Sequence, residues 1–451
     1  MACRDPAGGR LVLTILEREI TALRAAPAIP GPRAYGRVHS CDGGLIEVTG
    51  LPVPIGTVCR IGNDDDYASA EVIGFRDRFS LMVPLGDTAL LQPGAIVRAQ
   101  GEPGMVAVGD AFLGRAVDAT GMPIDRGPAI RTAARWPLGG CRESALERTS
   151  VAEPFDCGVR AINALTTLGI GQRVGIIAGS GVGKSVLLDM IAGGCESDIA
   201  VVALIGERAR EVSDFVARHM AGPMRRRTVV VAVPADHAAN LRLRGAQFAT
   251  ALAEYYRAQG KRVTLIMDSL TRVAHAAREI GLLLGEPGAA RGYPPSALGA
   301  ITKLVERAGN AQTTGGAITG IYTVLADGDD HDDPVVDTAR AILDGHIVLS
   351  RELAQQGQYP AIDVTASLSR VMDRITTSAH RENAREFRKL AAHYQANRDL
   401  VLMGAYREGA DPQIDRAMTM HDTMTQFLTQ RPDEYTNIED CVATLAAVLT
   451  S

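Results

Sequence analysis

One short stretch of this chain combines glycines, a lysine and a serine in a spacing that suits phosphate binding. It lies between an apolar run that ends at Ala178 and a segment of helical spacing. Glycine lets the backbone take positive φ and approach a ligand closely, so that successive N–H groups converge on phosphate oxygens at a helix N-terminus. The residues expected to bind the phosphates are Gly179, Ser180, Gly181, Val182, Gly183, Lys184, Ser185 and Val186.

Two of these side chains have separate expected roles. Lys184 would neutralise the outer phosphates, and the Ser185 hydroxyl would ligate Mg²⁺. The strict pattern for such a loop, G-x-x-x-x-G-K-[ST], fails at its first position, where Ala178 stands. A glycine-rich turn that binds nothing is the alternative that a short pattern leaves open. Phosphate chemistry is the leading hypothesis, and the rest of the chain has to support it.

Two further apolar runs end in charged residues. Asp268 closes the run that starts at Arg262 and is the candidate for the carboxylate that holds the metal beside a phosphate loop. An ordinary turn aspartate is the alternative. The run from Val201 leads to Glu207 and Arg208. Glu207 is expected to polarise the attacking water as general base, and Arg208 to hold the phosphate environment in place, although a salt bridge at a helix start would use the same pair.

Several longer motifs resemble those of the rotary-type ATPases, in the same order along the chain. They are Gly206 to Val212, Asp268 to Arg272, Gly285 to Pro287, Arg291 to Ser296, Tyr359 to Asp363 and Ser367 to Arg370. Within that superfamily the chain is most similar to the bacterial type III export ATPases, through Ala-Gly-Ser-Gly-Val-Gly-Lys-Ser and Asp344 to Arg351. The resemblance runs from about Tyr35 to the C-terminus. It departs at Ala209, where glycine is commoner, and at Gly288, where proline is usual; neither is expected to touch phosphate.

The resemblance implies roles that spacing does not indicate. Arg370 is similar to the arginine finger that reaches the nucleotide of the neighbouring subunit, and Tyr359 to the aromatic residue that stacks on adenine. The alternatives are a surface salt bridge for Arg370 and a packed core aromatic for Tyr359. Lys184, Glu207, Asp268 and Arg370 all occur in one chain, whereas rotary synthases divide the catalytic carboxylate and the finger between two kinds of subunit. The resemblance therefore implies a homohexamer with six equivalent sites.

The expected function follows from the same resemblance. It is Mg²⁺-dependent ATP hydrolysis that energises protein export, by releasing chaperones and unfolding substrates, through a flagellar type III secretion apparatus. A virulence-type injectisome is the alternative within the family. The implied partners are a stator or regulatory protein at the N-terminal helix, a central stalk protein at the C-terminal domain, the export gate, chaperones and export substrates. The expected location is the cytoplasm, in peripheral association with the inner membrane.

Composition divides the chain into four parts. Residues 1–32 are expected to hold a short helix, with apolar residues on one face at Leu13, Leu16, Ile20 and Leu23, and the resemblance implies that this helix docks a partner. A helix packed on its own domain is the alternative there. Short β-rich runs separated by turns predict a small β-barrel over 33–100. Strands alternate with helices over 101–374, which predicts an α/β fold with a parallel sheet, and the resemblance implies that this part is a RecA-like P-loop core. An α-helical C-terminal domain is expected over 375–451.

Other function classes are weighed against the composition. The net charge of −5 gives no general basic face, and aromatic residues make up only 4% of the chain. Both argue against a hexameric RNA-translocating motor, which would need base-stacking aromatics in the barrel; only Tyr35, Tyr67, Phe75 and Phe79 fall there. A non-catalytic nucleotide-binding scaffold subunit is the other alternative, which Glu207 disfavours. The seven cysteines are scattered without a C-x-x-C pair, as in a reducing cytosol.

Overall fold

The computed structural model describes residues 35–450, except 64–65, 87, 90, 142–143, 327–332 and 408. The expected docking helix at residues 1–32 lies outside the described residues. In the described part of the chain, no helix combines the length and the apolar character that a membrane span requires.

A closed barrel of six antiparallel strands forms the first described part, in the order β1-β2-β5-β4-β3-β6. Side chains along each strand alternate between the two faces of a sheet, so every second residue points into the barrel. In β4, for example, Ala68, Ala70 and Val72 are buried while their neighbours are more exposed. The strands are β1 Tyr35–Asp42, β2 Leu45–Thr49, β3 Val58–Gly62, β4 Tyr67–Arg76, β5 Phe79–Pro84 and β6 Ile96–Gln100.

The central sheet has the order β19-β18-β12-β17-β15-β13-β14-β8, and β16 pairs with β17. All pairings from β18 to β8 are parallel, whereas β19 is antiparallel to β18. Its strands are β8 Arg115–Val117, β12 Arg173–Ala178, β13 Ile199–Ile205, β14 Thr228–Val233, β15 Arg262–Asp268, β16 Gly309–Asn310, β17 Ala317–Leu325, β18 Gly345–Leu349 and β19 Ile362–Ser369. Two small ribbons pair β7 Met105–Ala107 with β9 Arg135–Pro137, and β10 Pro154–Phe155 with β11 Leu168–Gly169.

Helices cover both faces of this sheet, which is why its inner strands are continuous apolar runs. In β13, Val201 and Ala203 belong to the apolar core on one face, while Val202 and Leu204 belong to the core on the other. The helices are α1 Arg160–Leu165, α2 Lys184–Gly194, α3 Ala209–Ala221, α4 Ala239–Ala258, α5 Leu270–Leu283, α6 Pro295–Val305, α7 Pro334–Ile342, α8 Arg351–Gln355, α9 Met372–Ile375, α10 Ser378–Leu402, α11 Pro412–Leu428 and α12 Ile438–Thr450.

The last three helices form the helical C-terminal part and share a core with the sheet. Phe387 of α10 packs on Phe427 of α11, and both are buried with Leu445 of α12. The same apolar cluster contains residues of α1 and α2. The predicted order of barrel, parallel-sheet core and helical C-terminal part is therefore confirmed. The domain limits expected from composition stay predictions.

Candidate active site

The carboxyl ends of parallel strands meet at one edge of the sheet, and three charged side chains converge there. Lys184 opens α2 after β12, Glu207 follows β13, and Asp268 is the last residue of β15. The Lys184 Nζ atom lies 2.5 Å from Asp268 Oδ1 and 3.2 Å from Glu207 Oε1. The structure thus brings together three residues that are separated by up to 84 positions in the sequence.

The cluster is largely shielded from water. Exposed fractions of the side chains are 12% for Lys184, 13% for Glu207 and 6% for Asp268. Burial alone would lower the pKa of the Lys184 ammonium, but the carboxylates of Asp268 and Glu207 outweigh it and raise that pKa. Burial raises the pKa of Glu207, and the nearby Asp268 charge adds to the shift while Lys184 opposes it. The lysine therefore stays charged, and Glu207 is a stronger base than an exposed glutamate.

The loop between β12 and α2 has the backbone that phosphate binding requires. Gly181 and Gly183 take φ angles of 79° and 88°, in the left-handed region that favours glycine. Gly183 precedes the first turn of α2, and no described side chain caps that turn. The free N–H groups of a helix start, together with its dipole, form an anion-binding surface. The loop can therefore hold a phosphate group at the end of β12.

Ser185 lies on the wall of a cavity of about 260 Å³ that Glu207 and Asp268 also line. A hydroxyl and a carboxylate oxygen are donors of the kind that Mg²⁺ prefers. Within the described residues, no group of three or more histidine, cysteine, aspartate or glutamate side chains is placed to hold a metal. Two protein oxygens fit a Mg²⁺ ion that takes its other ligands from phosphate and water, as such ions usually do.

Tyr359 packs against the phosphate loop. Its ring carbons lie 3.4 Å from the position that a Cβ atom would take on Gly183. The residue is 44% exposed, and the Tyr359 carbonyl accepts a hydrogen bond of 2.9 Å from the Gln430 N–H, just after α11. An exposed aromatic residue beside the loop can stack on a planar base.

Arg370 lies at the opposite edge of the sheet. Because β19 is antiparallel to β18, its last residue, Ser369, pairs with Gly345, the first residue of β18. The Arg370 N–H donates to the Asp344 carbonyl at 2.9 Å, and Arg370 Nη2 donates to the Arg340 carbonyl at 3.1 Å. β12 runs between these edges over about 16 Å, at roughly 3.3 Å per residue. Arg370 is thus placed away from the phosphate loop of its own chain.

Two family models match the chain. Residues 158–369 match the ATP synthase alpha/beta family, nucleotide-binding domain, and residues 376–447 match the T3SS EscN ATPase C-terminal domain. The flagellum-specific ATP synthase of Pseudomonas aeruginosa is 45% identical over 98% of this chain and 99% of that protein. The type 3 secretion system ATPase of Xanthomonas euvesicatoria is 42% identical over 97% of this chain and 98% of that protein. The chain belongs to the ATP synthase alpha/beta family.

Within the family the chain belongs to the type III export ATPases, the flagellar and injectisome branch, as the sequence resemblance predicted. The assembled ATPase EscN from the enteropathogenic E. coli type III secretion system superposes with a TM-score of 0.86, at 40% identity over 92% of this chain and 100% of that one. The structure of EscN with its central stalk EscO gives a TM-score of 0.84 at the same identity and coverage.

Arg208 does not join the charged cluster of this ATPase. Its side chain is 85% exposed, and Nη1 lies 3.5 Å from Glu211 Oε1, one helical turn along α3. Within one subunit Arg208 thus forms a salt bridge at the start of α3, but with Glu211 and not with Glu207, the partner that the sequence left open. The part that Arg208 plays in phosphate binding stays a prediction.

One residue of the ATPase site was missed by sequence reasoning. Thr323, fully buried on β17 between β12 and β15, donates a hydrogen bond of 2.6 Å to Asp268 Oδ1. The same oxygen accepts from Lys184, so the carboxylate is held from two sides. The only signal in the sequence is a hydroxyl residue near the carboxyl end of a mostly apolar strand. It becomes meaningful once β17 is known to lie beside β15.

Proposed function

We propose that this ATPase works as a homohexameric ring that hydrolyses ATP with Mg²⁺ and energises protein export through a flagellar type III secretion apparatus. The observation that carries the proposal is the division of the chemistry between two edges of one sheet. Lys184, Glu207 and Asp268 lie at the carboxyl edge, and Arg370 lies at the amino edge.

The carboxyl edge supplies most of one active site. The loop N–H groups and Lys184 bind the phosphates. Ser185 and Asp268 would hold the metal, which would offset the charge that develops on the phosphoryl group. When a triphosphate enters, Lys184 exchanges its carboxylate partners for phosphate oxygens. Glu207 is then released to orient the attacking water and accept its proton. Tyr359 stacks on the adenine base.

The amino edge supplies the remaining group to the next subunit. An arginine that cannot reach its own loop acts only where two subunits meet, so hydrolysis depends on the neighbour's position. Support comes from EscN, which has been solved as an assembled ATPase and with a central stalk. We propose the matching partners here: a stalk protein at the C-terminal helices, a stator protein at residues 1–32, and chaperones, export substrates and the export gate at the cytoplasmic side of the inner membrane.

A nucleic-acid motor is disfavoured by the barrel surface. The ring of Tyr67 is covered by the Arg60 guanidinium at 3.7 Å, and the ring of Phe79 stacks on His39 at 4.8 Å. A platform for base stacking needs free ring faces. The Arg98 guanidinium also lies over the Tyr35 ring at 5.6 Å, so three of the four aromatic residues in the barrel have a face already covered.

A mixing experiment tests the shared site. Glu207→Gln chains retain the finger, and Arg370→Ala chains retain the carboxyl-edge groups. If the two form mixed rings at random, about a quarter of the sites combine intact groups from both chains. We expect the mixture to recover roughly that fraction of wild-type turnover, with each variant alone as the control. A mixture as inactive as its components contradicts sharing of sites between subunits.

A genetic test separates the two kinds of apparatus. The gene is expressed in a flagellated host that lacks its own flagellar export ATPase, and swimming is scored in soft agar. Restored swimming that is lost again with Lys184→Ala supports the flagellar assignment. Failure to swim, together with restored effector secretion in an injectisome ATPase mutant, replaces it with the injectisome alternative.

A further inference from the structure

A fully buried glutamine, Gln172, joins the segments that hold Arg370 in place. Its side-chain Nε2 donates to the Asp344 carbonyl at 3.0 Å and to Ser369 Oγ at 3.2 Å. Its Oε1 accepts from the Gly169 N–H at 2.8 Å. Every polar atom of the amide thus has a partner. One side chain links the turn before β12, the start of β18 and the end of β19.

The Asp344 carbonyl is the point where these contacts meet Arg370. This one oxygen accepts from Gln172 Nε2 and from the Arg370 N–H. The carboxylate of the same aspartate is held by Arg173, with Nε to Oδ2 at 3.0 Å and Nη2 to Oδ1 at 3.3 Å. Asp344 is therefore fixed at both its side chain and its backbone. Its N–H donates to the Arg173 carbonyl at 2.8 Å, and Gln172 supplies the side-chain contact to its carbonyl.

Gly345 leaves the space that this arrangement needs. A Cβ atom on Gly345 would lie 2.4 Å from the Leu368 carbonyl oxygen and 3.2 Å from Gln172 Nε2. Any side chain would push β19 away from β18 or displace the amide. Packing of this kind at the end of a strand restricts where the next residue, Arg370, can lie.

We propose that Gln172 is a positioning residue for Arg370, and that it keeps the finger at a fixed place relative to β12. That strand begins directly after Gln172 and ends directly before the subunit's own phosphate loop. In each subunit, one end of β12 then leads into the phosphate loop of the subunit's own site. The other end adjoins Gln172, which anchors the finger that serves the neighbouring site. The proposal rests on the proposed action of Arg370 between subunits.

The first test is steady-state ATPase kinetics of Gln172→Met, which keeps the length of the side chain and removes its hydrogen bonds. Small displacements of a catalytic group cost up to about a hundredfold in rate. We expect kcat to fall at least about tenfold and the KM for ATP to change less than about twofold, since the binding groups lie at the other edge. A kcat within about twofold of wild type overturns the proposal.

Thr319→Val is the matched control. Thr319 is 2% exposed, and its Oγ1 accepts from the Gly171 N–H at 2.9 Å, so the variant also removes a buried hydrogen bond from the turn before β12. It touches neither Asp344 nor Ser369 by any hydrogen bond of the described residues. We expect its kcat to stay within about twofold of wild type. An equal loss of kcat in both variants overturns the proposal, because it shows that kcat falls when any buried hydrogen bond is removed from the turn before β12.

Mixing with Glu207→Gln chains separates positioning from general damage. If Gln172→Met harms only the finger, the mixture recovers activity to the same extent as the mixture of Arg370→Ala with Glu207→Gln. If Glu207→Gln chains recover activity with Arg370→Ala chains but not with Gln172→Met chains, the role of Gln172 is overturned and the proposed ring with shared sites still stands. Recovery with neither refutes the proposed function itself.

Ser369→Ala covers the case in which Gln172→Met does not fold. It removes one partner of the amide and leaves the Asp344 contact, so we expect a smaller fall in kcat, about threefold, with KM unchanged. It too should complement Glu207→Gln chains. Wild-type kcat in Ser369→Ala, or a loss that the mixture does not repair, counts against the proposal.

Discussion

Thr323→Val should weaken catalysis by releasing one side of the Asp268 carboxylate. The bond from Thr323 Oγ1 to Asp268 Oδ1 is 2.6 Å long and fully buried. A hydrogen bond to a charged group contributes about 1.5–3 kcal/mol. If the variant loses this whole contribution to transition-state stabilisation, kcat/KM for MgATP falls roughly 10- to 150-fold. The variant keeps the size of the side chain, so packing on β17 is preserved.

The assay is the steady-state ATPase rate with MgATP and Mg²⁺ varied separately, alongside thermal unfolding followed by circular dichroism. Thr323→Ser retains the hydroxyl and should recover most of the activity. Thr264→Val is the matched control on the neighbouring strand β15: Thr264 is fully buried, and its Oγ1 has no hydrogen-bond partner among the described residues. We expect the control to keep wild-type rates. Wild-type kcat/KM in Thr323→Val, or equal losses in Thr323→Val and Thr264→Val, refutes the reasoning.

Three further predictions concern the same site. Lys184→Ala should abolish measurable turnover while the circular dichroism spectrum stays that of a folded protein; near-normal hydrolysis contradicts the phosphate-binding role. Because burial raises the pKa of Glu207, the folded protein holds its proton more tightly than the unfolded chain. The stability that this group contributes is therefore lost as pH rises from the ordinary pKa of glutamate through the raised one. Glu207→Gln should increase the melting temperature more above that pH window than below it. A difference in melting temperature that does not change with pH argues against the shift. Tyr359→Ala should raise the KM for ATP by about tenfold, because it removes base stacking worth about 1–3 kcal/mol, whereas Tyr359→Phe should keep a KM near that of wild type. Equal KM values in Tyr359→Ala and Tyr359→Phe would exclude stacking.

Much of the fold follows from local pattern. The apolar run that ends at Ala178 is the strand β12, and the run from Arg262 to Asp268 is β15, with the limits that the sequence indicated. Parallel strands buried on both faces are continuous apolar runs, so their ends are easy to locate. Because their carboxyl ends share one edge, the meeting of Lys184 with Asp268 also followed from the sequence.

Other features depend on tertiary contacts that no local pattern records. The direction of β19 decides that Arg370 lies at the amino edge, and an apolar run does not state whether it pairs in parallel or antiparallel. Arg208 directly follows Glu207, yet α3 starts so that its side chain points to solvent. Gln172 and Thr323 are buried polar residues, and their partners Asp344, Ser369 and Asp268 come from distant parts of the chain. Sequence alone gave no reason to prefer them over ordinary buried polar residues.

The central claim is that the active site is completed by a second subunit. It is tested most directly by the specific ATPase activity of wild type and Arg370→Ala over a range of protein concentrations, with mass measured on the same samples. We predict a steep rise in wild-type activity that follows hexamer formation, and little activity at any concentration in a variant that still assembles. Activity that is independent of concentration in a stable monomer would contradict the account.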